Sequence, residues 1–80
     1  MEKEQILSEV QTIFRDILDN KNIVLKPETI INEVEGWESL TYIQLVFSIE
    51  KHFKIKFISN EYYSWKKIGE IMDAIQQKLN

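Results

Sequence analysis

The sequence contains no cysteine, which excludes disulfides and thiolate metal sites. It contains no apolar run near the roughly 18–20 residues needed to cross a bilayer. Its first residues, MEKEQILSEV, lack the basic-then-apolar layout of a secretory signal. The expectation is therefore a cytoplasmic protein. There is also no basic surplus: ten Lys and Arg face thirteen Asp and Glu, a net charge of -3. The basic pairs Lys54/Lys56 and Lys66/Lys67 are diluted by other residues, so no nucleic acid is expected as a partner. A mildly acidic surface suits a basic protein partner better. Eighty residues leave no room for a second core, so residues 1–80 are expected to form one domain and to act as a monomer.

Elements of intrinsic catalysis are equally scarce. His52 is the only histidine, and hydroxyls are the only plausible nucleophiles. If Ser39 and His52 share one helix, their separation of 13 residues places them about 20 Å apart along the axis, against the roughly 3 Å that a serine–base pair needs. His52 reads as a surface histidine. The acidic residues lack metal-ligand spacing, and there is no glycine-rich phosphate loop. No catalytic residue, no metal and no enzyme activity are expected.

What the chain does have is helical periodicity. It is 44% hydrophobic and 29% charged, a globular balance. Ile6, Val10, Ile13, Phe14, Ile17 and Leu18 make one stripe over residues 3–19, and Asp19-Asn20-Lys21-Asn22 ends it. Ile68, Ile71, Met72, Ile75 and Leu79 repeat the pattern from about Lys67 to Leu79, with Gly69 weakening it locally by up to about 1 kcal/mol. Residues 39–53 are apolar on more than one face. Tyr42, Leu45, Val46, Ile49 and Phe53 form one stripe; Leu40, Ile43 and Phe47 form a second about a third of a turn away. Leu40 and Phe47 read as contact residues, while Ile43 fits burial and contact equally well.

Residues 20–38 exceed the roughly 2–8 residues of an ordinary helix connection. Pro27 argues against a helix there, and Ile23, Val24, Leu25, Ile30, Ile31 and Val34 are candidates to pin the loop to the core. Lys54-Ile55-Lys56-Phe57 alternates like a strand but has no partner strand, so it reads as an extended connector. Ser59 to Tyr63 is expected to form one helical turn. The fold class is all-α: an antiparallel bundle of three main helices, a short helical turn before the last, and a long first loop. Ile13, Phe14, Val46, Ile49, Phe53, Ile71 and Ile75 are its expected core.

Ser39 sits where the long loop meets the apolar helix. A serine there is a favoured N-cap. The same position favours a phosphate, because a helix N-terminus leaves N–H groups unpaired and carries partial positive charge. Gly36 lets the loop turn sharply, and Trp37 can anchor it to the core.

Gly36-Trp37-Glu38-Ser39-Leu40, followed by Ile43-Gln44-Leu45-Val46 and Ile49-Glu50-Lys51-His52-Phe53-Lys54-Ile55, resembles the GWDSL…LxxALEexFgI pattern of acyl carrier proteins, and the likeness covers essentially the whole chain. The resemblance implies that Ser39 receives 4'-phosphopantetheine from coenzyme A through a phosphopantetheinyl transferase. The arm then holds acyl or aminoacyl groups as thioesters, so the sulfur missing from the chain comes from the cofactor. It further implies an acyl- or aminoacyl-loading ligase and a downstream transferase or synthase as partners, docking on Glu38, Leu40, Gln44, Phe47, Glu50 and Lys51. Val46, Ile49 and Ile71 are candidates to line an acyl pocket, with plain core packing an equal reading for each. Glu38 replaces the family's usual aspartate, and Gln44 and Lys51 stand where fatty-acid carriers are often acidic. A specialised pathway is thus expected over housekeeping fatty-acid synthesis. The alternative reading is a carrier-like adaptor that binds a protein partner without a prosthetic group.

Overall fold

The chain forms four helices, α1 (Lys3–Leu18), α2 (Ser39–Phe53), α3 (Ser59–Tyr62) and α4 (Ile68–Leu79), with a 3-10 turn at Ile31–Glu33 inside the first loop; α1, α2 and α4 carry the apolar stripes. The computed structural model describes residues 1–79, the side chains of Ser59 and Asn60 excepted. α1 ends where Asp19 takes a left-handed conformation (φ 49°, ψ 49°). The Asn20 N–H then donates to the Arg15 carbonyl at 3.0 Å, satisfying an acceptor the helix itself leaves open. α2 stops in the same way at Lys54 (φ 58°, ψ 48°). There the Ile55 N–H donates to the Glu50 carbonyl at 3.1 Å, and Ile55 is returned to the core.

Cross-helix contacts fix the directions. Trp37, just before α2, stacks on Phe14 near the end of α1, while His52 at the end of α2 pairs with Glu9 in the first half of α1. The two helices therefore run antiparallel. α4 is antiparallel to α1 as well, since Asp73 at its middle and Gln76 in its second half meet Lys3 and Met1 at the start of the chain. One hydrophobic cluster joins all of this: Ile6, Val10, Ile31, Leu45, Ile49, Ile68, Ile71 and Ile75 are almost wholly buried, together with Phe14.

The long loop is tied down by named bonds. The Arg15 Nε–H donates to the Ile23 carbonyl at 2.7 Å, and the Leu25 N–H donates to Gln11 Oε1 at 2.9 Å. Ile30 pairs with Lys67 in a single antiparallel bridge, and the Gly69 N–H donates to the Pro27 carbonyl at 2.7 Å. A Cβ on residue 69 would sit 3.1 Å from that carbonyl oxygen. The glycine that weakens the helical pattern is thus the one that lets the loop lie against α4. Glu70 caps the same helix from within. Its Oε1 accepts the Lys66 and Lys67 N–H groups at 2.6 and 2.8 Å, and those bonds hold its carboxyl below the usual range.

Two expected loop anchors are corrected. Val24 is 68% exposed and Ile30 is also exposed; the pinning falls to Ile23, Leu25 and Ile31, with Val34 partly buried. In an extended segment neighbouring side chains point opposite ways, so Val24 between buried Ile23 and Leu25 faces outward. The Lys54–Phe57 connector shows the same alternation, with Ile55 and Phe57 buried between exposed lysines.

Candidate functional site

Ser39 is the first residue of α2 and not its cap, contrary to the sequence-based expectation. Glu38 holds the cap position in an extended conformation (φ −138°, ψ 164°). Its carbonyl accepts the Thr41 N–H at 3.0 Å, and its own N–H donates to Thr41 Oγ1 at 3.3 Å. That reciprocal use buries Thr41, the one buried polar residue among those described. Ser39 is left exposed and free of a capping duty. As first-turn residues, Ser39 and Leu40 also have N–H groups with no carbonyl a turn earlier to bond. The helix itself carries no acidic residue in its first turn. An anion attached to Ser39 would meet favourable backbone polarity there.

The loop behind Ser39 is held by aromatic packing. Gly36 has φ +85°, a conformation that side-chain-bearing residues rarely adopt. It turns the chain so that Trp37 lies flat on Phe14, ring centroids 5.5 Å apart and planes at 17°. Tyr42 meets the Trp37 ring edge-on at 5.8 Å and the Tyr62 ring at 6.3 Å. Its hydroxyl donates to the Tyr62 carbonyl, which clips α3 onto α2. Tyr42, read in the sequence as part of the core stripe, is instead half-buried because its polar tip needs that partner.

Burial, with a smaller contribution from the Glu70 carboxylate, pushes the Tyr42 phenol up to about 12 from 10.0. The raised value favours the neutral phenol in the folded chain. Its stabilising contribution is intact below pH 10 and is lost as pH rises from 10.0 to about 12. Tyr42→Phe removes the α2–α3 bond and is expected to cost about 1 kcal/mol. It should also flatten this alkaline part of the stability curve, which urea melts across that pH range would read. An unchanged curve in the variant would count against the clip.

Two adjoining hollows open along α2, the first of them at Ser39. The first, about 510 Å³, is lined by Asn32, Trp37, Glu38, Ser39, Tyr42, Ile43, Tyr62 and Tyr63. The second, about 260 Å³, shares Ile43, Tyr62 and Tyr63 with it and adds Val46, Phe47, Glu50 and Phe57. Together they make a groove between α2 and α3 that starts at Ser39. Leu40 is 74% exposed, Ile43 53% and Phe47 68%, so the second apolar face of α2 is turned outward and the ambiguity over Ile43 resolves to exposure. Gln44 and Lys51 are exposed as well. Glu50 is half-buried, its Oε2 accepting the Phe57 N–H at 2.8 Å.

Of the three residues considered for an acyl pocket, Val46 lines the second hollow. Ile49 and Ile71 are fully buried in the packed core. Asn32, Tyr62 and Tyr63 were missed from sequence. The dense aromatic run Tyr62-Tyr63-Ser64-Trp65 after a one-turn helix was the available signal, since a helix that short cannot bury three large rings on one face.

Comparison with known proteins agrees with this geometry. The family model described as "Phosphopantetheine attachment site" matches residues 8–75. An acyl carrier protein of Borreliella burgdorferi is 24% identical over 78 residues, covering 98% of each chain. The solution structure of a holo acyl carrier protein from Geobacter metallireducens superposes with a TM-score of 0.84 at 38% identity, over 92% of this chain and 85% of that one. The crystal structure of an acyl carrier protein from Thermotoga maritima also gives 0.84, at 22% identity, over 99% and 92%; at that identity it speaks for the fold alone.

Proposed function

Because the chain belongs to the acyl carrier protein family, whose members bear phosphopantetheine and are carriers rather than enzymes, we propose that Ser39 is the residue to which its arm is attached. The observation that carries this reading is a serine exposed on the first turn of α2, relieved of capping by Glu38 and Thr41, and opening directly onto a groove. When bound, the group supplies a thiol on a flexible tether, on which an acyl or aminoacyl group is held as a thioester. Attachment forms a bond from Ser39 Oγ to phosphorus as the pyrophosphate link of coenzyme A breaks. The serine proton is lost and 3',5'-ADP departs.

The remaining residues divide the work of a carrier. The first-turn N–H groups of α2 stabilise the phosphodiester. Trp37, held flat on Phe14, keeps the preceding loop in one conformation, so that the transferase meets Ser39 preformed. Leu40 and Phe47, flanked by Glu38, Gln44, Glu50 and Lys51, offer partner enzymes an apolar face with charges at its margins. Val46, with Ile49 and Ile71 behind it, lines the space into which a cargo enters when the helices part. The partners are a phosphopantetheinyl transferase, an acyl- or aminoacyl-loading ligase and a downstream transferase or synthase. Residues 1–80 act as one carrier domain, a cytoplasmic monomer serving a specialised pathway; the neutral Gln44 and basic Lys51 on the docking face support that last choice. No described helix is long and apolar enough to cross a membrane.

Incubation with a broad-specificity transferase and coenzyme A tests the site. The expected result is a gain of one phosphopantetheine in intact mass, mapped to the Ser39 peptide and not to Ser8, Ser48, Ser59 or Ser64. No gain with several transferases, or a gain elsewhere, overturns it.

A further inference from the structure

The groove beside Ser39 has a chemical character of its own. Its far hollow is walled by Phe47, Phe57, Tyr62 and Tyr63 and holds one ionisable carboxyl group, that of Glu50. The near hollow adds Trp37, Tyr42 and a second carboxyl group, Glu38. No lysine, arginine or histidine lines either hollow among the described residues. One Glu50 oxygen accepts the Phe57 N–H, which fixes the carboxylate at the wall; no described lysine, arginine or histidine pairs with it.

Lys78 Nζ already lies 5.9 Å from the centroid of the Phe57 ring, but no cation lines the hollow itself, so its aromatic rings and the wall-held Glu50 carboxylate together attract a positive charge twice over. The ring quadrupoles favour it and the carboxylate pairs with it. The same lining repels a cargo that ends in a carboxylate and gives a neutral alkyl chain no electrostatic advantage. The near hollow includes Ser39, and the far one shares Ile43, Tyr62 and Tyr63 with it, so a tether from Ser39 that follows the first leads toward the second. We infer that the far hollow receives the ammonium-bearing end of an aminoacyl cargo, with Glu50 as its counter-ion and Phe47, Phe57, Tyr62 and Tyr63 around it. This rests on Ser39 as the attachment point.

The test uses the whole chain loaded by a broad-specificity transferase from three coenzyme A analogues with an amide in place of the thioester. Their ends are phenylalanyl, 3-phenylpropionyl (the same skeleton without the amine) and succinyl. Intact mass first establishes loading at Ser39; failure there overturns the attachment reading and the cargo inference with it. In loaded protein, amide chemical shifts of Phe57 and Tyr62 report occupancy of the far hollow. The docked fraction is expected to be roughly threefold or more greater for phenylalanyl than for phenylpropionyl, and negligible for succinyl. Glu50→Gln keeps an acceptor for the Phe57 N–H and removes the charge, so it should bring the first two ligands level. Equal shifts for the two in the unaltered protein, a preference for succinyl, or a phenylalanyl preference that survives Glu50→Gln would each overturn the inference.

Discussion

Ser39→Ala is expected to abolish attachment of the arm completely while leaving the melting temperature within about 4 °C of the parent. The two halves of this outcome have separate causes. The chemical half is all-or-none, since alanine has no oxygen to attack phosphorus. The structural half follows from where the α2 cap lies. A serine at an N-cap contributes about 1 kcal/mol, and alanine there would cost that much. Here Glu38 is the cap, and the reciprocal bonds with Thr41 fix the start of the helix. Position 39 is helical and exposed, where alanine is an intrinsically good helix former. The corresponding loss belongs at Thr41, whose Oγ1 and N–H are both engaged and whose side chain is buried. Intact mass after transferase treatment and a thermal melt check both halves. A variant that still gains phosphopantetheine removes Ser39 as the site. A normal loss of labelling accompanied by a drop well beyond 4 °C would mean that Ser39 supports the fold after all.

Helix boundaries and the outward face of α2 were legible from spacing alone, because a 3.6-residue period over 12–16 residues leaves little freedom. Leu40 and Phe47 were separable from Leu45, Val46 and Ile49 for that reason. What spacing could not show lies where the chain is not periodic. Val24 and Leu25 are both apolar neighbours in a loop, and it takes the bonds from Arg15 to the Ile23 carbonyl and from the Leu25 N–H to Gln11 to fix which of them turns inward. Ile43 belonged to the second α2 stripe yet fitted burial equally well, and the hollows that it lines are closed on the other side by Tyr62 and Tyr63 at the end of α3, a four-residue helix with almost no periodic signal. The cap was misassigned to Ser39 because serine outranks glutamate at that position in general, whereas the partner three residues on determines the outcome here. The groove was invisible for a further reason. Its walls come from residues 32–63, brought together by the Tyr42 hydroxyl reaching the Tyr62 carbonyl, and a single hydrogen bond between distant residues leaves no mark on hydropathy.

Phe14→Ala should cause the largest loss of stability of any single substitution considered, about 3–5 kcal/mol. A folded chain of this length has only about 4–12 kcal/mol in total. Phe14 is 1% exposed, so alanine removes a whole ring from a packed interior and leaves a cavity that α1, bound on both sides to α2 and α4, cannot close. The melting temperature is expected to fall by roughly 12–40 °C, on the scale of 4–8 °C per kcal/mol for a domain of this size. The defect should also travel to the site. Trp37 loses the ring on which it stacks, and Trp37 is both the wall of the first hollow and the anchor of the loop that precedes Ser39. At a temperature where the variant is still mostly folded, its rate of phosphopantetheine attachment should therefore fall further than its folded fraction does. Phe14→Leu, which keeps most of the volume but no flat face, separates the two effects: stability largely returns, and the slower attachment remains. Urea melts of the three proteins and initial labelling rates corrected for folded fraction decide the matter. A Phe14→Ala protein that melts within about 4 °C of the parent would show that the ring is not the keystone of the core, and normal labelling in Phe14→Leu would show that Trp37 holds the loop without it.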